Sequence, residues 1–479
     1  MIFNNQKIRE YCGVFGITCN DYSYSVAGLM YSGLMALQHR GQLFSGISIK
    51  TNENNILTYK DKGLVSKVLN PKKLKSMIGN VGIGHVCYGK PSCTKIENAQ
   101  PYYSKINNTE FSIAMNGILS NYDEIHTELS KMGRVFIGKS DIELISVLIE
   151  TLISLLEDRI SALKKLVETL KGAYSILVLF NDGNIYAIRD PKGYKPLCYG
   201  NLNIENKHFY IVSSESCAID VIGGNLIEDV VPGEIINIHP TNKVERYQAL
   251  NEEVCGVCEF EYIYIARPDS IIDGVPVGDV RYKLGQYLAE TDDFFSEEAI
   301  VVPIPDSGRS AAMGYSWKSK IPYEEGLMKN RYMWQLKSNV EEKLNPIKEV
   351  VKNKDIILVD DSIISGNTMK KIVSMLRNAK AKSIHVRISC PPIIKNCEFN
   401  DSISNRELLV AFQAKVRNYD NFNEEMRKFI GADSLKFQNL DGLFNAIGIE
   451  ESKGCIDCFK EFCLVDKERK ISKMDIIHN

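Results

Sequence analysis

The chain has 479 residues, with 58 basic and 60 acidic side chains and a formal net charge of −2. That length holds two or three domains with full cores, and the balanced charge leaves no electrostatic footprint for nucleic acid. No apolar run approaches the roughly 18 residues of a membrane span, and the N-terminal text lacks the apolar core of a secretory signal, which points to the cytoplasm. Thirteen cysteines in such a chain suggest metal binding or nucleophilic chemistry rather than a disulfide framework.

In chain order, MIFNNQKIREY (Met1 to Tyr11) precedes CGVFGI, a strand-like run that opens on Cys12. Removal of the leader would give Cys12 a free α-amino group beside its thiol, a nucleophile with its own base. A cysteine opening a core strand is also, more plainly, a small buried hydrophobe. Short turns punctuate the first half at Asn181-Asp182-Gly183, Asp190-Pro191-Lys192-Gly193 and Pro232-Gly233. With short strands between them they predict an antiparallel architecture. The charged stretch HPTNKVERYQALNEE closes that half near Asn251.

The second half alternates apolar runs with amphipathic helices, as a parallel sheet requires. Ile356, Ile357, Leu358 and Val359 read as a buried parallel strand, with Asp360 and Asp361 at its end. Ser362, Ser365, Gly366, Asn367 and Thr368 then lead into the helix-like run MKKIVSMLRNA. Ligands of open α/β sheets bind at the carboxyl ends of strands. A small-residue loop entering a helix offers N–H groups, hydroxyls and a positive dipole end to a phosphate, and paired carboxylates suit the hydroxyls of a ribose. An ordinary strand–turn–helix with polar cap residues carries similar text. Near the end, Cys455 and Cys458 form a CxxC, a spacing compatible with two ligands of one metal site.

After Cys12 come ALQHRGQLFSGI (Ala36 to Ile47), GIGHVCYGK (Gly82 to Lys90), ENAQPYY (Glu97 to Tyr103), AMNGILSN (Ala114 to Asn121) and SDIELI (Ser140 to Ile145). The second half adds CEFEYIYIARPDSIIDG (Cys258 to Gly274), VPIPDSGRSAA, LMKNRY and VDDSIISGNT. In order and spacing these resemble the glutamine phosphoribosylpyrophosphate amidotransferases over nearly the whole length. The resemblance implies a cleavable leader (1–11) and an N-terminal nucleophile αββα sandwich of antiparallel sheets, a class II glutamine amidotransferase domain (12–250). A type I phosphoribosyltransferase α/β domain with a parallel sheet (251–445) and a C-terminal tail (446–479) follow. The implied reaction makes phosphoribosylamine from glutamine and phosphoribosylpyrophosphate, the first step of purine synthesis. Purine nucleotides would be feedback inhibitors and the assembly a homo-oligomer, a tetramer by resemblance.

The resemblance also distributes roles. Cys12 attacks the glutamine amide, Asn116 and the N–H of Gly117 form the oxyanion hole, Asp141 holds the substrate ammonium, and Arg40 belongs to the same pocket. Taken alone, Asn116-Gly117 also reads as a hairpin turn, and Arg40 and Asp141 as solvated surface. Asp306 and Ser307 belong to the pyrophosphate loop, Lys329 and Arg331 neutralise the diphosphate, and Lys343 reaches it from a mobile loop. Asp360, Asp361, Ser362, Gly366 and Thr368 hold the ribose phosphate. Mg²⁺ bridges the diphosphate oxygens, with Asp360 and Asp361 as possible ligands. Cys258, Cys397, Cys455 and Cys458 match the ligands of a structural [4Fe–4S] cluster in one branch of the family, with Cys₄ zinc as the alternative.

Several positions depart from that pattern. The family text GHVRYST is GHVCYGK here, so Cys87 stands where an arginine grips the glutamine carboxylate through a planar fork that a thiol cannot supply. Met115 and Ile118 replace a histidine and an asparagine around the Asn-Gly pair, and the loop KNRYMWQLKSNVEEKLNP is shortened. The phosphate loop, Ser362-Ile363-Ile364-Ser365-Gly366-Asn367-Thr368, lacks an arginine and a threonine. These changes predict impaired glutamine use. They also admit a diverged paralogue that uses ammonia or another amine, or a catalytically weak nucleotide-sensing regulator.

Overall fold

Short strands with alternating apolar residues dominate the first half, and their pairing decides where each side chain points. The computed structural model describes residues 12–88, 95–156, 158–241, 243–251, 256–330, 344–397, 399, 409–417, 421–450 and 453–459. The leader, Lys90, Cys255, Arg331, Lys343 and Cys463 lie outside the described residues.

One antiparallel sheet runs, edge to edge, Asn225–Asp229, Cys198–Ile204, Lys207–Ser213, Gly13–Cys19, Val81–Cys87, Phe44–Lys50 and Ile56–Lys62. A second runs Val244–Gln248, Glu234–Ile238, Ile185–Arg189, Gly172–Phe180, Thr109–Leu119 and Tyr102–Ile106. Successive side chains on a strand face opposite ways. Val14, Ile83 and Val212 therefore meet Leu177, Ala187 and Ile236 between the sheets. Phe15, Ile17 and Ile49 turn outward onto residues of the helix Ala27–Ala36. Tyr174 and Ile176 turn outward on the other side, where they pack with the helices Asp141–Leu156 and Arg159–Thr169. The result is the expected αββα sandwich.

Asn116 and Gly117 lie inside the strand Thr109–Leu119 and not in a hairpin turn. Gly117 has φ +156°, and a Cβ there would stand 2.1 Å from the Ala173 carbonyl oxygen, so only glycine fits.

The second half is built on four parallel strands, Ala299–Pro303, Asp355–Asp360, Ser383–Ile388 and Ser434–Phe437. Both faces are covered, which explains the unbroken apolar run. Ile356 and Leu358 pack toward the helix Asn367–Asn378, and Ile357 and Val359 toward the helix Arg309–Ser319. No helix among the described residues is long and apolar enough to cross a membrane.

Two ion pairs are among the contacts that join the halves. Arg189 pairs with Asp273 at 2.6 Å, and Arg40 pairs with Glu261 at 2.8 Å. Farther on, Val257–Cys258 pairs in parallel with Gly454–Cys455, which sets Cys258 beside Cys455.

Candidate active sites

Cys12 is the residue before the strand Gly13–Cys19, and it is buried with Phe44, Cys87 and Ala99. Its carbonyl oxygen accepts a 2.9 Å hydrogen bond from Arg40 Nε. The rest of that guanidinium is committed elsewhere. Nη1 donates to Glu215 at 2.6 Å and to Glu261 at 3.0 Å, and Nη2 donates to Glu261 at 2.8 Å. Arg40 is thus fully buried and holds the Cys12 backbone.

Glu215 is the hub of this network. Besides Arg40, it accepts from Ser270 Oγ at 2.7 Å and from the Arg267 N–H at 2.8 Å, and it pairs with His39 at 2.7 Å. Burial works to raise its carboxyl pKa, but the charges of His39 and Arg40 overcome that and hold it far below the usual carboxylate range. Arg40 is pushed up in turn, because Glu261 and Glu215 outweigh the burial that opposes its charge.

Asn116 comes to the same end of the sandwich from the second sheet. His85 Nε2, two residues before Cys87, lies 3.0 Å from the Met115 carbonyl oxygen, which ties the two sheets together at this end. Asn116 is 1% exposed, and its Nδ2 finds no hydrogen-bond acceptor among the described residues. A buried donor without an acceptor is costly and suits a group waiting for a developing oxyanion. Asp141 opens the helix Asp141–Leu156 and accepts from the Leu119 N–H at 3.3 Å, close to the end of the Asn116 strand.

The second site lies where the strand Asp355–Asp360 ends. Asp360 Oδ1 accepts from the Asp361 N–H at 2.9 Å and from Ser307 Oγ at 3.4 Å, which brings the two loops together. Ser362 Oγ donates to Asp361 Oδ1. Gly366, at φ +71°, turns the chain into the helix Asn367–Asn378. Asp360, Asp361, Ser362, Gly366 and Thr368 line one pocket, as does Tyr264. Lys329 Nζ sits 2.5 Å from Asp306 Oδ2 on the neighbouring loop, both groups partly open to solvent. The structure therefore gathers the predicted phosphate-loop residues on one pocket, with Ser307 bonded to its Asp360.

Tyr264, Glu215 and Glu261 were missed by the motif reading. Glu261 and Tyr264 share one turn of π-helix, Glu261–Ile265, so a single element touches both the Arg40 network and the phosphate-loop pocket. The two glutamates inside the otherwise apolar EFEYIYI, Glu259 and Glu261, were the available signal.

The four predicted ligand cysteines are neighbours. Cys258 pairs with Cys455 across the two short strands. Burial, followed by Cys397, Cys258, Cys390 and Cys455, pushes the Cys458 thiol well up. Burial is also the main reason that the Cys455 thiol is pushed up to about 12. No group of three or more His, Cys, Asp or Glu side chains among the described residues is set close enough to hold a metal ion as it stands.

An antiparallel αββα sandwich fused to a parallel-sheet domain with a strand-end pocket defines a glutamine-dependent phosphoribosyl-transferring enzyme. Family profiles agree, with a glutamine amidotransferase domain matched over residues 92–220 and a phosphoribosyl transferase domain over 280–398. The chain belongs to the amidophosphoribosyltransferase family, whose paired domains fit the first step of purine synthesis. It is 39% identical to the Methanothermobacter thermautotrophicus amidophosphoribosyltransferase over 468 residues, 95% of each chain. The Bacillus subtilis enzyme is 36% identical over 476 residues, covering 96% of this chain and 95% of its own. A solved structure of the B. subtilis glutamine phosphoribosylpyrophosphate amidotransferase, complexed with ADP and GMP, superposes with a TM-score of 0.84 at 35% identity. That match covers 94% of this chain and 96% of the other.

Proposed function

We propose that residues 12–250 hydrolyse glutamine and residues 251–445 use the ammonia, with residues 446–479 as a tail carrying two cluster ligands. Cys12, freed of its leader, attacks the side-chain amide carbon. A C–S bond forms, the C–N bond breaks, and ammonia leaves with a proton from the α-amino group. Asn116 Nδ2 and the Gly117 N–H stabilise the oxyanion, and water then releases glutamate from the thioester. Asp141 holds the substrate ammonium. Cys87 offers no guanidinium to the substrate carboxylate, so glutamine binding is weaker than an arginine there would allow.

In the second domain, Ser362, Gly366 and Thr368 bind the ribose phosphate, and Asp360 and Asp361 accept from the ribose hydroxyls. The Asp306–Ser307 loop, Lys329, Arg331 and Lys343 surround the diphosphate that departs as ammonia takes its place. Mg²⁺ needs only one or two protein carboxylates when a diphosphate supplies other oxygens. Asp360 and Asp361 at the pocket would hold it, and it would neutralise charge on the leaving oxygens. Cys258, Cys397, Cys455 and Cys458 supply the thiolate donor type of a [4Fe–4S] cluster, and its role would be structural. Nucleotide feedback is carried over from the ADP- and GMP-bound neighbour, and the homo-oligomer, a tetramer, and cytoplasmic location from the family resemblance.

The observation that carries the reading is Arg40, which bonds the Cys12 carbonyl and also Glu261, on the same helical turn as Tyr264 of the phosphate-loop pocket. The test is pyrophosphate release from phosphoribosylpyrophosphate with glutamine, with ammonia and with neither. Release with both nitrogen sources, and loss of the glutamine reaction alone in Cys12→Ala, is expected. Release with ammonia only would favour the ammonia-using paralogue that Cys87 suggests. No release with either would overturn the reading in favour of a nucleotide-sensing regulator.

A further inference from the structure

Gly13 stands opposite Val86 in the antiparallel pairing of Gly13–Cys19 with Val81–Cys87, so the next step of the register sets Cys12 opposite Cys87. Residues directly opposite on antiparallel strands share a face, with Cβ atoms about 4.5–5.5 Å apart. A disulfide spans Cα atoms about 4.4–6.8 Å and Cβ atoms about 3.5–4.5 Å apart, so such a pair meets the first range and reaches the second by a small approach of the two side chains. Both side chains are buried in one small cluster with Phe44 and Ala99. Both backbones are also pinned. The Cys12 carbonyl is held by Arg40 Nε at 2.9 Å, and the Cys87 carbonyl accepts from the Leu43 N–H at 2.7 Å. The other described cysteines of this half, Cys19, Cys198 and Cys217, belong to a different cluster, under the helix Ala27–Ala36.

We propose that Cys12 and Cys87 are an oxidative modification site, a vicinal thiol pair that closes reversibly to a disulfide when the protein meets a peroxide. The inference rests on the reading of Cys12 as the glutamine nucleophile, because a residue that admits glutamine also admits the smaller oxidant. The Cys12 thiolate attacks one peroxide oxygen. The S–O bond forms, the O–O bond breaks, and the departing hydroxide takes a proton to become water. The Cys87 sulfur then attacks the sulfenic sulfur. The S–S bond forms, the S–O bond breaks, and the second oxygen leaves as water with the Cys87 proton. Two thiols lose two electrons and one peroxide becomes two waters. Closure silences glutamine hydrolysis, and it shields Cys12 from irreversible oxidation to the sulfinic acid. Two equivalents of a small thiol reverse it.

The experiment treats the anaerobically purified full chain with hydrogen peroxide, blocks remaining thiols, and maps peptides without reduction. A peptide joining Cys12 to Cys87, lighter by two hydrogens, is expected. Glutamine-dependent turnover, normalised to ammonia-dependent turnover of the same sample, should fall at least about tenfold, because the nucleophile is consumed, and return with dithiothreitol. In Cys87→Ala or Cys87→Ser no linked peptide forms, Cys12 is recovered as the sulfinic acid, and dithiothreitol no longer restores each variant's own starting activity. Wild-type Cys12 recovered as sulfinic acid, or linked to any other cysteine, would overturn the proposal. The peptide map does not depend on turnover, so glutamine use that survives Cys12→Ala would sink the nucleophile reading and leave the linkage result standing.

Discussion

Arg40 and Glu261 meet across the joint between the two halves through hydrogen bonds of 2.8 and 3.0 Å, with both side chains buried. Because the third nitrogen of the same guanidinium bonds the Cys12 carbonyl, this pair connects the second half to the Cys12 backbone. Removing one partner of a buried ion pair typically costs about 3–5 kcal/mol. Glu261→Ala is expected to lower the thermal midpoint and to reduce glutamine-dependent turnover more than ammonia-dependent turnover. Equal losses of the two activities would show that the pair supports the fold alone.

Asn116→Ala removes the buried amide that we assign to the oxyanion. Loss of one such donor lowers kcat by about 10²–10³, so glutamine turnover should fall by that factor. Synthesis from ammonia bypasses the thioester and should be unchanged. The comparison is a pair of steady-state assays on one preparation, and parallel losses would remove Asn116 from the oxyanion hole.

Gly117→Ala tests the neighbouring backbone. At φ +156° with the Ala173 carbonyl 2.1 Å from the new Cβ, alanine cannot be seated without moving a strand. The variant should lose glutamine turnover together with stability, in contrast to Asn116→Ala. A wild-type melting curve would show that the strand gives way at no cost.

Asp229 supplies a pH test at the joint. Burial, helped by the charge of Asp273, raises its carboxyl pKa to about 6, above the ordinary value of about 3.9. Between those values the folded protein holds a proton that the unfolded chain has released, so this group's contribution to stability falls as pH rises through the window. Asp229→Asn is expected to be more stable than the wild type at about pH 7 and close to it at about pH 3, where the carboxyl is mostly neutral in both states. Thermal midpoints of the two proteins at both pH values decide it, and an unchanged difference would refute the raised pKa.

Iron analysis tests the four thiols. Protein purified without oxygen should be brown and carry about four irons per chain if Cys258, Cys397, Cys455 and Cys458 hold a [4Fe–4S] centre. Zinc in place of iron would refute that. Cys458→Ser should lower the melting temperature rather than stop one chemical step, since metal binding is coupled to folding.

Local text revealed what local chemistry determines. The run Ile356 to Val359 is a buried parallel strand because both its faces are covered, and Asp360, Asp361 and Gly366 take up the strand-end and helix-entry positions that their residue types suggest. Asn116-Gly117 has the composition of a hairpin, yet it sits mid-strand, because the Ala173 carbonyl presses where a side chain would be. Arg40 was placed by its motif, but its buried hydrogen-bond network was not legible. Its partners lie 175 and 221 residues away, and no periodicity or spacing rule reaches that far. Tyr264 escaped notice for a related reason. It looks like core, and only the π-helical turn that carries Glu261 brings it to the phosphate-loop pocket.

The pairing of Val257–Cys258 with Gly454–Cys455 also imposes an order of events during synthesis. Gly454–Cys455 is the last described strand to leave the ribosome. The amidotransferase half can complete both its sheets well before then, as domains generally fold in turn during translation. The seam that Cys258 shares with Cys455 stays open throughout that time. A nascent chain stalled before Gly454 therefore carries Cys258 and Cys397 without Cys455 or Cys458, so a cluster on these four thiols would load only after Cys458 has emerged.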